Sequence, residues 1–359
     1  MKKLLEDFLD RYFHDEESII LLLLLTAGLV ILLLLGSILA PLIASIIIAY
    51  LMQGLVNLLL KYGLTPRLAF AAVYTLFIGF FLTILLYLLP QAWNQLRRLV
   101  NELPNLISEW RTALMALPEN YPSLFSEAQV RAFMDGLGGE VGSFGQTILE
   151  YSLASLPSLF GWMIFLILVP ILVFFVMKDK QDLVQWAGNF LPRNRPLMSR
   201  IWKEMDEQIS NYIRGKVVEI LIVGGAAYLM FVVLGINYAL LLSVLVGLSV
   251  IVPYIGATVV TFPVAAVAYV QWGFGGEFYT VLIAYLVLQI LDGNVLVPII
   301  FSEAVNLHPV AIIAAVLIFG GMWGMAGVFF AIPLATLVKA VINAWPSRVQ
   351  SRAEEASQA

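Results

Sequence analysis

Cysteine is absent from this chain of 359 residues, which excludes disulfides, thiolate nucleophiles, iron–sulfur clusters and Cys-ligated zinc. Histidine is nearly absent. His14 and His308 stand far apart, too few and too distant for a His-rich metal centre. Charge is scarce as well: Asp, Glu, Lys and Arg make up 12% of the residues, against roughly 25% in soluble globular domains. Apolar residues make up 61%, and the mean hydropathy is +0.92. So few polar side chains cannot cover a surface that faces water, so the apolar surplus must face lipid. The net charge of −4 is a small difference between 24 acidic and 20 basic residues and points to no nucleic acid and no acidic partner.

A helix needs about 20 mainly apolar residues to cross a hydrocarbon core roughly 30 Å thick. That ruler predicts an all-α, polytopic helical membrane protein with about eight transmembrane spans, some broken or re-entrant, plus amphipathic interfacial helices. The spans fall near 18–36, 38–60, 66–90, 157–177, 217–235, 239–271, 279–301 and 309–342. The first is an almost pure leucine run behind an acidic segment (Glu6, Asp7, Asp10, Asp15, Glu16, Glu17). A cleaved secretory leader would be shorter and basic at its start, so the run reads as a retained span.

Lys and Arg placement sets the expected orientation. The segment 178–216 carries Lys178, Lys180, Arg193, Arg195, Arg200, Lys203, Arg214 and Lys216, which assigns it to the cytoplasm. The longer 91–156 has only Arg97, Arg98, Arg111 and Arg131 and suits the outside. Lys61, Arg67, Lys339, Arg348 and Arg352 then lie inside. The predicted organisation is a cytoplasmic tail (1–17), three spans (18–90), an extracytoplasmic amphipathic helical segment (91–156), a fourth span (157–177), a basic cytoplasmic segment (178–216), a four-span core (217–343) and a cytoplasmic tail (344–359). Both termini lie inside.

Two of these spans are too long for simple helices. The stretch 239–271 contains Pro253-Tyr254-Ile255-Gly256, and 309–342 contains Gly320-Gly321 and Pro333. Proline removes a backbone donor and clashes with the preceding turn. Broken backbone at membrane depth survives only where it is buried in protein or lines a wet cavity; a kinked span or a re-entrant pair both satisfy the pattern. The spacing of Gly320 and Gly324 predicts close helix packing, with a hinge as the alternative.

The segments outside the spans are amphipathic. Leu96, Val100, Leu103, Ile107, Trp110 and Leu114 recur at the helical period after Trp93, so a helix continues out of the third span. Ile201, Met205, Ile209, Tyr212 and Lys216 form a second stripe that ends in cations, as an interfacial helix would. Either is a structural connector, or else a gate or docking surface.

Enzymatic signatures are missing. Arg214-Gly215-Lys216 has Ser210 where a Walker A loop needs glycine, and no HExxH occurs. Val141-Gly142-Ser143-Phe144-Gly145 has valine in place of the first glycine of a nucleophile elbow. No catalysis and no cofactor are expected.

Between Val217 and Val338 there is no Lys or Arg, and the only acids are Glu219, Glu277, Asp292 and Glu303. A carboxylate near a bilayer centre costs about 2.5–3.5 kcal/mol on insertion scales, so it needs a partner, a wet cavity or a proton. Asp292 lies well inside a span, in Gln289-Ile290-Leu291-Asp292-Gly293-Asn294-Val295. Together with Asn294, Gln289 and a carbonyl freed by Pro298, it has the oxygens to hold Na⁺ or to carry a proton; the alternative is an Asp bonded to a neighbouring helix. Glu303 follows about three turns later and shares that face only if Pro298 leaves the helix unbroken; otherwise it sits in the outer loop. Glu219, beside Arg214 and Lys216, reads as one half of a surface ion pair, and Glu277 as solvated.

Val252-Pro253-Tyr254-Ile255-Gly256, Leu291-Asp292-Gly293-Asn294-Val295-Leu296-Val297-Pro298 and Ala331-Ile332-Pro333-Leu334-Ala335 resemble motifs of the AI-2E (autoinducer-2 exporter) transporter family. Asn211–Lys216 and Phe301–Pro309 are similar to its PerM-like permease branch. The resemblance covers essentially the whole chain and implies an eight-span protein of a Gram-negative inner membrane. It implies export of autoinducer-2 or Na⁺/H⁺ exchange as precedents, without transferring a substrate. The predicted function is a permease or secondary transporter for a small solute or ion, with an oligomeric scaffold or a passive channel as alternatives. Its pathway residues are Asp292, Asn294, Gln289, Glu303, Pro253, Tyr254 and Gly256. Its partners are the lipid bilayer and a small solute or cation (H⁺ or Na⁺), with a homo-oligomer as a further option.

Overall fold

The computed structural model describes residues 16–115, 128, 156–192, 195–253, 255–301 and 307–344. Among them every regular element is helical, and no strand occurs. In order these are α1 (Glu16–Lys61), α2 (Pro66–Thr83), a π-helical turn (Ile84–Leu88), α3 (Leu89–Met115), α4 (Leu156–Lys178), α5 (Lys180–Gly188), α6 (Pro196–Leu234), α7 (Ala239–Ser249), α8 (Ile255–Trp272), α9 (Gly276–Leu291), a second π-helical turn (Asp292–Leu296), α10 (Val297–Phe301) and α11 (Pro309–Ala344). Among the described residues, seven helical stretches are long and apolar enough to cross a bilayer, and three shorter apolar helices accompany them. The chain is an all-α polytopic membrane protein.

The predicted spans 18–36 and 38–60 are joined by a bend and not by a loop. Both lie on α1, 46 residues long and assigned as helix throughout. A straight helix from Glu17 to Tyr50 would run roughly 50 Å at about 1.5 Å per residue. Yet Glu17 Oε1 accepts from Met198 N at 2.7 Å, and Tyr50 Oη donates to Asp206 Oδ1 at 2.8 Å. Those partners stand only about 12 Å apart along α6, so α1 must fold back sharply between the two contacts.

Two of the apolar cores among the described residues are the largest. One joins the second half of α1 to α2 and α4 through Ala49, Val56, Val73, Phe77, Val169 and Val173. Ser45 Oγ and Tyr74 Oη tie that group together by donating to the carbonyls of Val169 and Pro170. The other core joins α6, α7, α8 and α9 through Val223, Phe231, Leu242, Val246, Val264, Val281 and Tyr285. Large apolar side chains such as Leu34, Leu86, Val233 and Ile299 point outward, as a lipid-facing surface requires.

The stripe Ile201, Met205, Tyr212 and Lys216 does not lie on an interface. Helix α6 runs unbroken from Pro196 into the predicted span, and those four residues are buried. Ile201 and Met205 pack with Leu21 and Ala340, and Tyr212 packs with Ile332 near the end of α11. The apolar face that the sequence offered to lipid is taken up by protein.

The long stretch 239–271 is broken where Pro253 predicted. Helix α7 has 11 residues, about 16 Å, half of a hydrocarbon core. After Val250–Pro253 the chain reverses into α8, and Gly256 packs directly on the Ser249 carbonyl, where a Cβ would collide with backbone. Helix α11 breaks similarly at Gly324 (φ 59°, ψ −137°), a conformation essentially reserved for glycine. Gly327 there packs on the Phe319 carbonyl. Gly324 thus makes a chain reversal, and Gly320 and Gly327 let the two arms on either side of it pack closely.

The helix predicted to leave the third span does so. Helices α2 and α3 run on continuously through the π-helical turn, and side chains partway along α3 cap the start of α7. Gln95 Oε1 accepts from Leu241 N at 2.8 Å, and Tyr238 Oη donates to Glu102 at 2.5 Å. Burial, reinforced by the Glu102 carboxylate, pushes the Tyr238 phenol up to about 12, so this tie persists through neutral pH. Apart from Ala128, residues 116–155, with the Val141–Gly145 sequence, lie outside the described residues.

Candidate functional site

A cavity of about 560 Å³ opens where α6, the α7–α8 break, α9, its π-helical turn and α11 converge. Its polar lining comes from Tyr212, Lys216, Glu219, Ser249, Gln289 and Asp292, and Pro253 and Pro298 also border it.

Each of the two π-helical turns among the described residues is followed by a proline, Pro90 after Ile84–Leu88 and Pro298 after Asp292–Leu296. A proline ring clashes with the carbonyl four residues earlier, and widening the helix to π relieves that clash. For Pro298 that carbonyl belongs to Asn294, inside the second turn. The widened turn begins at Asp292 and leaves its side chain half-buried at the cavity wall. Its Oδ1 is buried and has no hydrogen-bond partner among the described residues.

Opposite stands an ion pair whose burial the sequence did not reveal. Lys216 Nζ donates to Glu219 Oε2 at 2.7 Å, and both residues are buried, at 5% and 2% exposure. The expected surface pair is therefore an interior one. The physical reason is the short helix α7, whose last turn folds over α6: Lys216 Nζ also donates to the Val250 carbonyl at 2.7 Å. A cation at a helix C-terminus meets carbonyls left without intrahelical donors, where the helix dipole favours positive charge. The Phe301 ring completes the enclosure, its centroid 5.4 Å from Nζ.

Glycine makes these approaches possible. A Cβ on Gly215 would come within 2.7 Å of both Ile300 and Phe301, so only glycine lets α10 settle against α6. One turn beyond Glu219, Gly247 and Gly224 bring α7 and α6 into backbone contact: a Cβ on Gly247 would be 3.1 Å from Gly224 Cα. The lysine thereby reaches the α7 terminus.

The predicted pathway residues divide accordingly. Asp292, Gln289 and Pro253 share the cavity. Gln289 is held by a relay in which its Nε2 donates to Tyr285 Oη, which donates to the Ala257 carbonyl. Gly256 acts one step back, closing the α7–α8 reversal. Asn294 does not line the cavity: it is exposed, and its amide donates to the Ile290 carbonyl at 2.9 Å. Two residues apart on a helix, it and Asp292 face different ways. Tyr254 and Glu303 lie outside the described residues. Glu277 is exposed, as expected. Lys216, Glu219 and Tyr212 are the additions. Their signal was the Lys–Glu spacing of three with Gly215 alongside, obscured because the basic run before it suggested water. Among the described residues, no group of three or more His, Asp or Glu side chains could hold a metal ion.

Broken helices around a charged cavity inside an apolar bundle define a polytopic membrane transporter architecture. The chain belongs to the AI-2E family of transporters, whose family model matches residues 19–347. It is 46% identical over 346 residues to "Putative permease PerM" of Escherichia coli K12, covering 96% of this chain and 98% of that protein. It is 26% identical to "Putative transport protein YueF" of Bacillus subtilis, over 88% of this chain and 87% of the relative. To "AI-2 transport protein TqsA" of E. coli K12 it is 23% identical, with 86% of each chain covered.

Proposed function

We propose that this member of the family is a secondary transporter of the bacterial inner membrane, with both termini in the cytoplasm. It moves a small polar solute through the cavity in exchange for, or together with, one H⁺ or Na⁺. The observation that carries this reading is the unpartnered Asp292 oxygen at the wall of a cavity it shares with the buried Lys216–Glu219 pair.

Charge counting explains the ion. Lys216 contributes one positive charge, and Glu219 and Asp292 contribute one negative each, so the fully ionised cavity holds one excess negative charge. Lys216 is already committed to Glu219 and Val250, which leaves Asp292 to be neutralised by a mobile cation or a proton. Neutralisation removes the penalty for turning this wall toward lipid or closing it against α6. The α7–α8 reversal and the Gly324 break supply two discontinuous elements able to rearrange around the site, as in carriers built on broken helices. A cavity of about 560 Å³ suits a small metabolite or signalling molecule. The AI-2 transport assigned to the TqsA relative makes autoinducer-2 the first solute to try.

The test is flux in proteoliposomes with imposed Na⁺ and pH gradients. Asp292→Asn should abolish gradient-driven, saturable flux while leaving the purified protein monodisperse. Unchanged flux in that variant would remove Asp292 from the mechanism, and non-saturating flux indifferent to the gradient would show a channel instead.

A further inference from the structure

A second cavity, of about 440 Å³, lies between the end of α1, the start of α5 and the middle of α6. It is lined by Lys61, Lys180 and Arg214, with Asp206 as its only acid and with Tyr50, Gln53, Asn57 and Ser210 among its polar walls. The three cations come from three elements, so no local helix pattern accounts for their meeting. Two positive charges remain in excess.

The cations differ in how firmly they are held. Arg214 is fixed: Nε and Nη2 both donate to Ser210, to its carbonyl and hydroxyl respectively. Its Cδ lies beside Gly54, at ordinary contact distance from where a Cβ would stand there (3.5 Å). A guanidinium has five donors, and two are spent on Ser210, leaving three. Lys61 and Lys180 form no ion pair among the described residues. Asp206 is turned to Tyr50, whose hydroxyl lies 2.8 Å from both its Oδ1 and its carbonyl. Gln53 and Asn57 are bonded to each other through one amide and one carbonyl, which leaves an acceptor and a donor free.

A planar guanidinium anchored on its own helix, with two exposed ammoniums lining the same cavity, is the donor arrangement that recognises phosphate. The surroundings match a headgroup level. The helix opened by Lys180 exposes Leu183, Val184 and Trp186, and Phe190 in the turn after it is exposed too, its ring packed edge to face on Trp186 at 5.0 Å. Exposed aromatics beside basic residues mark the membrane–water boundary. We propose that this cavity is a phosphate-binding site, taking the phosphate of an anionic lipid headgroup or of a small soluble ester. The site is separate from the Asp292 cavity, and its occupancy braces α1 against α6.

The experiment uses the full-length protein and the double variant Lys61→Gln/Lys180→Gln, which removes two exposed ammoniums and leaves the Arg214 anchor intact. One arm measures thermal stabilisation in detergent by inorganic phosphate and by glycerol phosphate against chloride at matched ionic strength. The other measures phosphatidylglycerol retained in native mass spectra against phosphatidylcholine. The parent should bind phosphate in at least one arm, and the double variant should bind about tenfold more weakly or worse. Retention of phosphatidylglycerol alone would identify a lipid headgroup; stabilisation by the soluble anions would identify a free ester. No stabilisation by phosphate beyond chloride together with no preference for the anionic over the zwitterionic headgroup, or equal binding by the double variant, would overturn the proposal.

Discussion

Replacing Lys216 by methionine tests the interior of the site without touching Asp292. Methionine keeps most of the stem's length and apolar packing but removes the ammonium. In the parent this ammonium satisfies the Glu219 carboxylate and the Val250 carbonyl, both at 2.7 Å, under the Phe301 ring. The variant therefore strands a carboxylate that is 2% exposed. Breaking one partner of a buried ion pair costs about 3–5 kcal/mol, a factor of roughly 10² or more in the unfolding equilibrium.

Removing the second charge as well should restore most of that loss. Apolar replacement of a whole buried pair is often neutral, and what remains unsatisfied in Lys216→Met/Glu219→Leu is one carbonyl, worth about 1–3 kcal/mol. The assay is equilibrium unfolding in mixed micelles followed by tryptophan fluorescence, run on the parent, both single variants and the double variant. The double variant should be more stable than Lys216→Met alone, with a strongly favourable coupling between the two sites. A Lys216→Met protein within about 1 kcal/mol of the parent, or strictly additive losses, would show that water reaches the pair and refute its interior placement.

Three further outcomes follow from local geometry. Gly256→Ala should destabilise the α7–α8 reversal by about 2 kcal/mol or more, because its Cβ meets the Ser249 backbone and no side-chain motion can relieve the overlap; a thermal midpoint equal to the parent's would contradict this. Gly215→Ala should lower flux more than stability, since it displaces Phe301 from Lys216 across a 2.7 Å approach; the discriminating readout is KM and maximal flux measured beside a melting curve. Asn294→Ala should leave flux within about twofold, because the amide bonds its own helix and not the cavity; a loss as severe as that of Asp292→Asn would return Asn294 to the pathway.

How much of this was legible in the sequence depends on the range of the interaction involved. Helix content, the break near Pro253 and the isolation of Asp292 were legible because each follows from local chemistry: apolar run length, a missing backbone donor, and a charge with no neighbour of opposite sign. Asn294 was misplaced for a reason one level up. Adjacency to Asp292 looked like a shared site, but residues two apart on a helix do not face each other, and the Asn294 amide turns back to the Ile290 carbonyl of its own helix. Lys216 and Glu219 were misread at the longest range. Their neighbours in sequence are basic and polar, which describes a water-facing helix end, whereas their burial comes from α7, a segment that begins more than one full span later and returns only halfway. Hydropathy averages along the chain and cannot register a half-depth helix that brings its terminal carbonyls back to an earlier lysine. The glycines at 215, 224 and 247 were the readable trace of that approach, because helix backbones meet this closely in lipid only where side chains are absent. A buried lysine beside small residues, facing a short apolar helix that ends in a proline break, is therefore the pattern by which the cation side of such a cavity can be found when the acid side is already evident.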